Sequence, residues 1–154
     1  MGKIIELITV NVATREVDGV LARWHAIGLG SLAPVHMPAP PAEIVDVTLP
    51  IGASGAVSVI APTSANSPVQ RFLDRRGEGV YSIAVRVDNL GEVMRDWAAE
   101  GVQWVLPEPY EFPPGNPAGR YRPERLKANW VKPASLGGVM LECFEFAGRV
   151  EQIG

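Results

Sequence analysis

The sequence predicts an α+β fold of two tandem βαβββ modules, on the strength of an internal repeat and of a helical apolar stripe after each copy. Ile8-Thr9-Val10-Asn11-Val12 is echoed by Ile83-Ala84-Val85-Arg86-Val87. Val17, Val20, Leu21 and Trp24 follow the first copy at i, i+3, i+4 and i+7, and Leu90, Val93, Met94 and Trp97 follow the second at the same spacing. Each helix runs out near a glycine, Gly28 or Gly101, which takes the left-handed backbone of a helix end without steric penalty. Residues 32–36, 43–49 and 56–60 then read as strands in the first half, and 103–106, 126–131 and 139–146 in the second.

The modules therefore span about 3–61 and 79–147 within a single domain of residues 1–154. Gly52-Ala53-Ser54-Gly55 reads as a hairpin turn. Between the modules, residues 62–78 form a connector with a short helix beginning at Ser67-Pro68, because serine caps a helix start and proline suits its first turn. The proline- and glycine-rich residues 107–119 are too irregular for a core strand and read as an ordered surface loop, with a lid as the alternative.

Composition narrows the function classes. With 47% hydrophobic and 20% charged residues the chain is globular, and no apolar stretch approaches the roughly 20 residues of a membrane span, so no membrane partner is expected. A net charge of −3 gives no reason to propose nucleic acid as a partner. The amino-terminal segment shows no apolar stretch followed by a small-residue cleavage site, so cytoplasmic residence is the expectation. The one cysteine, Cys143, cannot form an internal disulfide and reads as a buried thiol rather than a nucleophile.

Strand alternation sorts residues onto two faces. Ile8, Val10 and Val12, with Ile83, Val85 and Val87, make an apolar face suited to helices. The opposite face carries Leu7, Thr9, Asn11, Ser82, Ala84 and Arg86, joined by Ile44, Asp46, Thr48, Ala56, Ser58 and Ile60, and by Met140, Glu142 and Phe144. Small, polar and apolar groups mixed on one face have the character of a small-molecule site.

Ala61-Pro62, then Ser67-Pro68-Val69-Gln70-Arg71-Phe72-Leu73-Asp74-Arg75-Arg76-Gly77-Glu78-Gly79-Val80, and later Lys132-Pro133-Ala134-Ser135-Leu136-Gly137-Gly138-Val139-Met140-Leu141-Glu142 carry a family likeness. With the repeated module, they make the chain resemble the vicinal oxygen chelate superfamily of glyoxalases, bleomycin-resistance proteins and methylmalonyl-CoA epimerases, the epimerases above all. The likeness is densest over about residues 55–146. It implies a cupped mixed β-sheet with helices on the outer face, and a homodimer.

It also implies a divalent metal held by a histidine on the first strand, a glutamine or glutamate closing the first module, a histidine opening the second and a glutamate on the final strand. These fall on Leu7, Ser58, Ser82 and Glu142. Leucine cannot coordinate, and two serine hydroxyls are poor substitutes for imidazole and carboxamide, so no metal and no other cofactor is expected. An acidic residue facing substrate in the epimerases matches Asp46.

The candidate catalytic residues are thus Glu142 and Asp46, with Leu7, Asn11, Ser58, Ser82, Arg86 and His36 as candidate substrate contacts. Glu142 sits among apolar neighbours, where desolvation suits a carboxylate to acid/base work; the alternative is an inherited carboxylate held by a hydrogen bond or by Arg86. An ordinary solvated aspartate is the competing reading of Asp46. His36 can enter the pocket as an acid/base, whereas His25 flanks the first helical stripe. Tyr81 points away from Ser82 and into core, Trp130 is a strand aromatic without special claim, and Arg120, Arg122, Arg125 and Lys127 suit either acyl-CoA phosphates or a solvated basic loop. The preferred reading is a metal-independent isomerase, epimerase or lyase acting on a small carbonyl, carboxyl or acyl-CoA compound. The alternative is a non-catalytic protein that sequesters a small molecule, as bleomycin-resistance relatives do.

Overall fold

A computed structural model describes residues 2–154. Its strands are β1 (Ile4–Ala13), β2 (Val35–Met37), β3 (Ile44–Ile51), β4 (Gly55–Pro62), β5 (Gly79–Val87), β6 (Tyr110–Glu111), β7 (Tyr121–Val131) and β8 (Met140–Gln152). Its helices are α1 (Val17–Ala26), α2 (Pro68–Arg76) and α3 (Leu90–Ala99), which makes the fold α+β. Among the described residues no helix is long and apolar enough to cross a membrane. The chain divides into two compact units, Val10–Tyr81 and residues 2–9 with Ser82–Ile153, so β1 and β5 each contribute to both.

In the Val10–Tyr81 unit the strand order is β2-β3-β4-β1, with β3 antiparallel to β4 through the expected hairpin and β1 parallel to β4. Ala13 and Ile60 pack with Val69 and Leu73 of α2, and Phe72 meets Tyr81 edge-on at 5.2 Å between ring centroids. Helix α2 begins where serine and proline direct it: Ser67 Oγ accepts from the Val69 N–H at 3.2 Å, and Pro68 occupies the first turn. The Glu78 carboxylate accepts from Thr14 Oγ1 at 2.5 Å and from the Arg15 N–H at 2.9 Å. Those two bonds hold its pKa below the ordinary glutamate value.

Helix α1 departs from expectation. Val17, Val20, Leu21 and Trp24 do form its inward stripe, but each is only half-buried and no residue of the helix is fully covered. Its flanks Asp18, Arg23 and His25 lie in solvent, and Glu16 at the N-cap makes no side-chain capping bond. A single narrow stripe laid along β4 leaves both edges of the helix wet.

In the other unit the order is β1-β5-β8-β7-β6, with β5 parallel to β8 and β7 antiparallel to both its neighbours. Helix α3 covers one face: Leu90 and Val93 pack with Val85, Val87 and Cys143, while Trp97 and Trp104 stack at 5.7 Å. Asn89 caps α3 by accepting from the Glu92 N–H. On the opposite face Ile8, Ala84, Leu126, Ala128 and Phe144 pack with Ala118 and Tyr121.

Several expectations change here. Ile8 belongs to the face of Ala84 and Phe144, not to the helix-bearing face with Val85 and Val87, because residues 118–121 fold down onto it. Gly119 makes that approach possible: its φ is +55°, and a Cβ there would meet Ile8 Cγ2 at 3.0 Å. The stretch expected to be an irregular loop contains edge strand β6, while residues 103–106 supply only an isolated bridge from Trp104 to Val131. Strand β7 starts at Tyr121 rather than near 126, its ladder carried past Pro123, which has no N–H to give, by a register shift.

Candidate functional site

The pairing of β5 with β8 aligns Ser82 with Met140, Ala84 with Glu142 and Arg86 with Phe144, so these side chains share the face away from α3. Strand β7 adds Trp130 opposite Glu142 and Ala128 opposite Phe144. Across that pair Trp130 Nε1 donates to Glu142 Oε2 at 2.5 Å, a charge-assisted bond if the carboxylate is ionised. Glu142 is half-buried and Ser82, on the same face, is 2% exposed. The expected carboxylate is therefore in a restrained, partly desolvated place, and the group that restrains it is Trp130.

Farther along the same face Arg86 lies over the Phe146 ring, 4.7 Å from its centroid, with Nη1 3.6 Å from Glu6 Oε1. Tyr121 Oη donates to the other oxygen, Glu6 Oε2, at 3.1 Å. Burial, then the bond to Glu6, pushes the Tyr121 hydroxyl above its ordinary pKa and keeps it a donor. Glu6 was not anticipated: at this end of β1, Glu6 and Ile8 meet this face, while Leu7 is 48% exposed. Thr9, at 3%, and Asn11, at 7%, are buried polar residues on Leu7's side of the strand.

In the Val10–Tyr81 unit the registers put Asn11 beside Ser58, and Ser58 beside Thr48. Thr48 Oγ1 lies 3.3 Å from Ser58 Oγ and 3.4 Å from Asp46 Oδ1. Asn11, Ser58, Thr48 and Asp46 thus form one polar row, as alternation predicts. His36 is set apart from it: paired with Val45, it occupies the other face and is exposed.

The basic run is not a single loop. Arg120 is buried and donates Nε to the Ile153 carbonyl, and Arg122 donates to the Gly119 and Tyr121 carbonyls. Arg125 and Lys127 are exposed on β7, pointing away from the Leu126 and Ala128 face. Cys143 takes the inert role expected of it, its thiol pushed up to about 12 by burial and secondarily by the charge of Glu142.

The residues that the resemblance places at metal-ligand positions, Leu7, Ser58, Ser82 and Glu142, are a poor donor set for a divalent ion. They include one ionisable donor, and an oxygen of that donor already accepts from Trp130. Among the described residues no group of three or more His, Cys, Asp or Glu converges anywhere. Two groups central to the site, Trp130 and Glu6, escaped sequence reading because each is identified only by what lies across the sheet from it.

Comparison with known proteins agrees with this architecture. The methylmalonyl-CoA epimerase of Mycobacterium tuberculosis superposes with a TM-score of 0.77 over 94% of this chain and 90% of that one, at 24% identity. A variant of the Streptomyces coelicolor methylmalonyl-CoA epimerase, in complex with 2-nitronate-propionyl-CoA, superposes with a TM-score of 0.77 over 95% of this chain and 100% of that one, at 19% identity. Uncharacterized protein YqjC of Bacillus subtilis (strain 168) is 27% identical over 117 residues, 76% of each chain. Residues 10–119 match the family model for the Glyoxalase/Bleomycin resistance protein/Dioxygenase superfamily, and to that superfamily the chain belongs.

Proposed function

We propose that the chain is a metal-independent enzyme doing isomerase, epimerase or lyase-type proton transfer on a small carbonyl, carboxyl or acyl-CoA compound. The observation that carries this reading is Glu142, a half-buried carboxylate oriented by the Trp130 N–H on a face that also holds Ser82 and Arg86. In the proposed step a C–H bond next to a carbonyl breaks, its proton passes to Glu142 and its electron pair moves onto the carbonyl oxygen. The resulting enolate oxygen is stabilised by a hydrogen bond from Ser82 in place of a Lewis acid. Reprotonation at carbon gives the isomer; expulsion of a leaving group gives the lyase outcome. Residues 1–154 then make one domain, expected to work as a homodimer in the cytoplasm.

Acyl-CoA thioesters are the first class to offer, since the epimerase neighbour is in complex with one. Wild-type protein and Glu142→Gln are incubated in D2O with methylmalonyl-CoA, other acyl-CoA thioesters and small 2-oxo acids, and deuterium at the α-carbon is followed by NMR. Wild type should exchange at least one compound, unaffected by chelator, and Glu142→Gln should be slower by on the order of 10²–10⁴-fold. Chelator-sensitive exchange restored by a divalent ion would overturn metal independence. The cluster of Trp130, Phe144, Phe146 and Phe112 on the Glu142 face supports the second reading, sequestration of an apolar compound, which gains if a compound binds and is recovered undeuterated.

A further inference from the structure

Arginines inside folded domains are normally tied down by several hydrogen bonds, because the guanidinium carries five N–H donors. Arg86 is an exception. It is 29% exposed and, among the described residues, donates no hydrogen bond; its contacts are the Phe146 ring beneath it and Glu6 Oε1 at 3.6 Å, beyond hydrogen-bonding distance. The guanidinium is nonetheless held in position. Phe146 supports its plane, and the bond from Tyr121 to Glu6 fixes the carboxylate beside it. Held in place with its donors uncommitted, such a group matches the two oxygens of a carboxylate, which a fork of parallel N–H bonds grips more tightly than any neutral amide.

Its position relative to Glu142 gives the grip a purpose. Glu142 is aligned with Ala84, and Arg86 follows Ala84 on the same face of β5, two residues or about 7 Å along the strand. We propose that Arg86, backed by Phe146 and by the Glu6–Tyr121 pair, is the recognition point for a carboxylate on the substrate. This deepens the proposed function, on which it rests, by narrowing the substrate to compounds bearing a free carboxylate a short carbon chain away from the acidic C–H. Glu6 offsets the arginine's charge in the empty state, so selectivity comes from the paired hydrogen bonds more than from net charge.

The test is equilibrium binding, independent of turnover. Malonamate and malonamide, which share one carboxamide and differ by a carboxylate against a carboxamide at the other end, are titrated calorimetrically into the full chain and into Arg86→Met and Arg86→Lys, each checked for folding by circular dichroism. Wild type should prefer malonamate by roughly tenfold or more, Arg86→Met should lose the preference, and Arg86→Lys, which keeps the charge without the fork, should retain a minor part. Equal binding of the two compounds by wild type, or an undiminished preference in folded Arg86→Met, overturns the proposal. If Arg86→Met fails to fold, an undiminished preference in Arg86→Lys overturns it alone, and a diminished one supports it. Arg86-dependent binding without deuterium exchange would sink the enzyme reading and leave the carboxylate subsite standing; exchange without Arg86-dependent selectivity would do the reverse.

Discussion

The two polar rows of the molecule occupy equivalent places in a repeated scaffold and have opposite character. In the Val10–Tyr81 unit, Asn11, Ser58 and Thr48 are neutral and at most 7% exposed. In the other unit the corresponding strands carry Arg86 and Glu142, both half-exposed and both in the company of aromatic rings. The helices diverge in the same direction: α3 is capped by Asn89 and buries Leu90 and Val93, whereas α1 lacks a side-chain cap and buries nothing completely. The repeat thus preserves backbone architecture while Asp46 is the one ionisable member of the first row and the second carries both Arg86 and Glu142. The proposed proton transfer needs a group that can reach substrate and change charge, and Glu142 of the second row is the candidate for it.

The sharpest probe of this contrast sets the two carboxylates against each other in the exchange assay. Against the loss of on the order of 10²–10⁴-fold expected for Glu142→Gln, Asp46→Asn should cost about tenfold, because Asp46 is supported by a long contact to Thr48 and its row is otherwise neutral. Equal losses would make the two rows catalytic equals and break the comparison. Trp130→Phe should slow exchange by roughly tenfold as well, with far-UV circular dichroism unchanged, since it removes one hydrogen bond to a charged group.

Stability should follow the helices. Leu90→Ala, at a fully buried position, is expected to cost about 2–5 kcal/mol in urea denaturation, and Leu21→Ala, on the half-covered stripe of α1, about 1 kcal/mol. A cost for Leu21→Ala matching that of Leu90→Ala would show that α1 is covered in solution by something outside the chain described.

The smallest effect lies in acid. Glu78 in one unit and Asp88 in the other both have pKa values lowered on folding, Glu78 by the Thr14 hydroxyl and Arg15 N–H, Asp88 chiefly by the Lys3 N–H. A lowered folded pKa contributes stability above the unfolded value, near 4 for these side chains, and that contribution is lost as pH falls through the folded value. Thermal melts from pH 6 to pH 3 should therefore fall less steeply for Glu78→Gln and for Asp88→Asn than for wild type. A parallel melt profile in either variant would remove that carboxylate from the acid response.

Periodicity alone established the α+β class, the repeat, helices α1 and α3 and the parity of Asn11, Ser58, Thr48 and Asp46, because each is a property of neighbouring residues at spacing 2 or 3.6, while the local signal Ser67-Pro68 marked the start of α2. Glu142 was singled out by the family resemblance, which puts a metal ligand at its position. Tertiary structure decided the rest: that Trp130 lies across from Glu142, that Glu6 and Ile8 rather than Leu7 meet the face of Arg86, that His36 lies away from Asp46, and that α1 is only half-covered. The physical reason is the same for each. Alternation says which residues share a side of one strand, but which strand lies alongside, in what register, and what chain folds down over it are set by long-range pairing and packing, for which no local pattern in the chain is a signal.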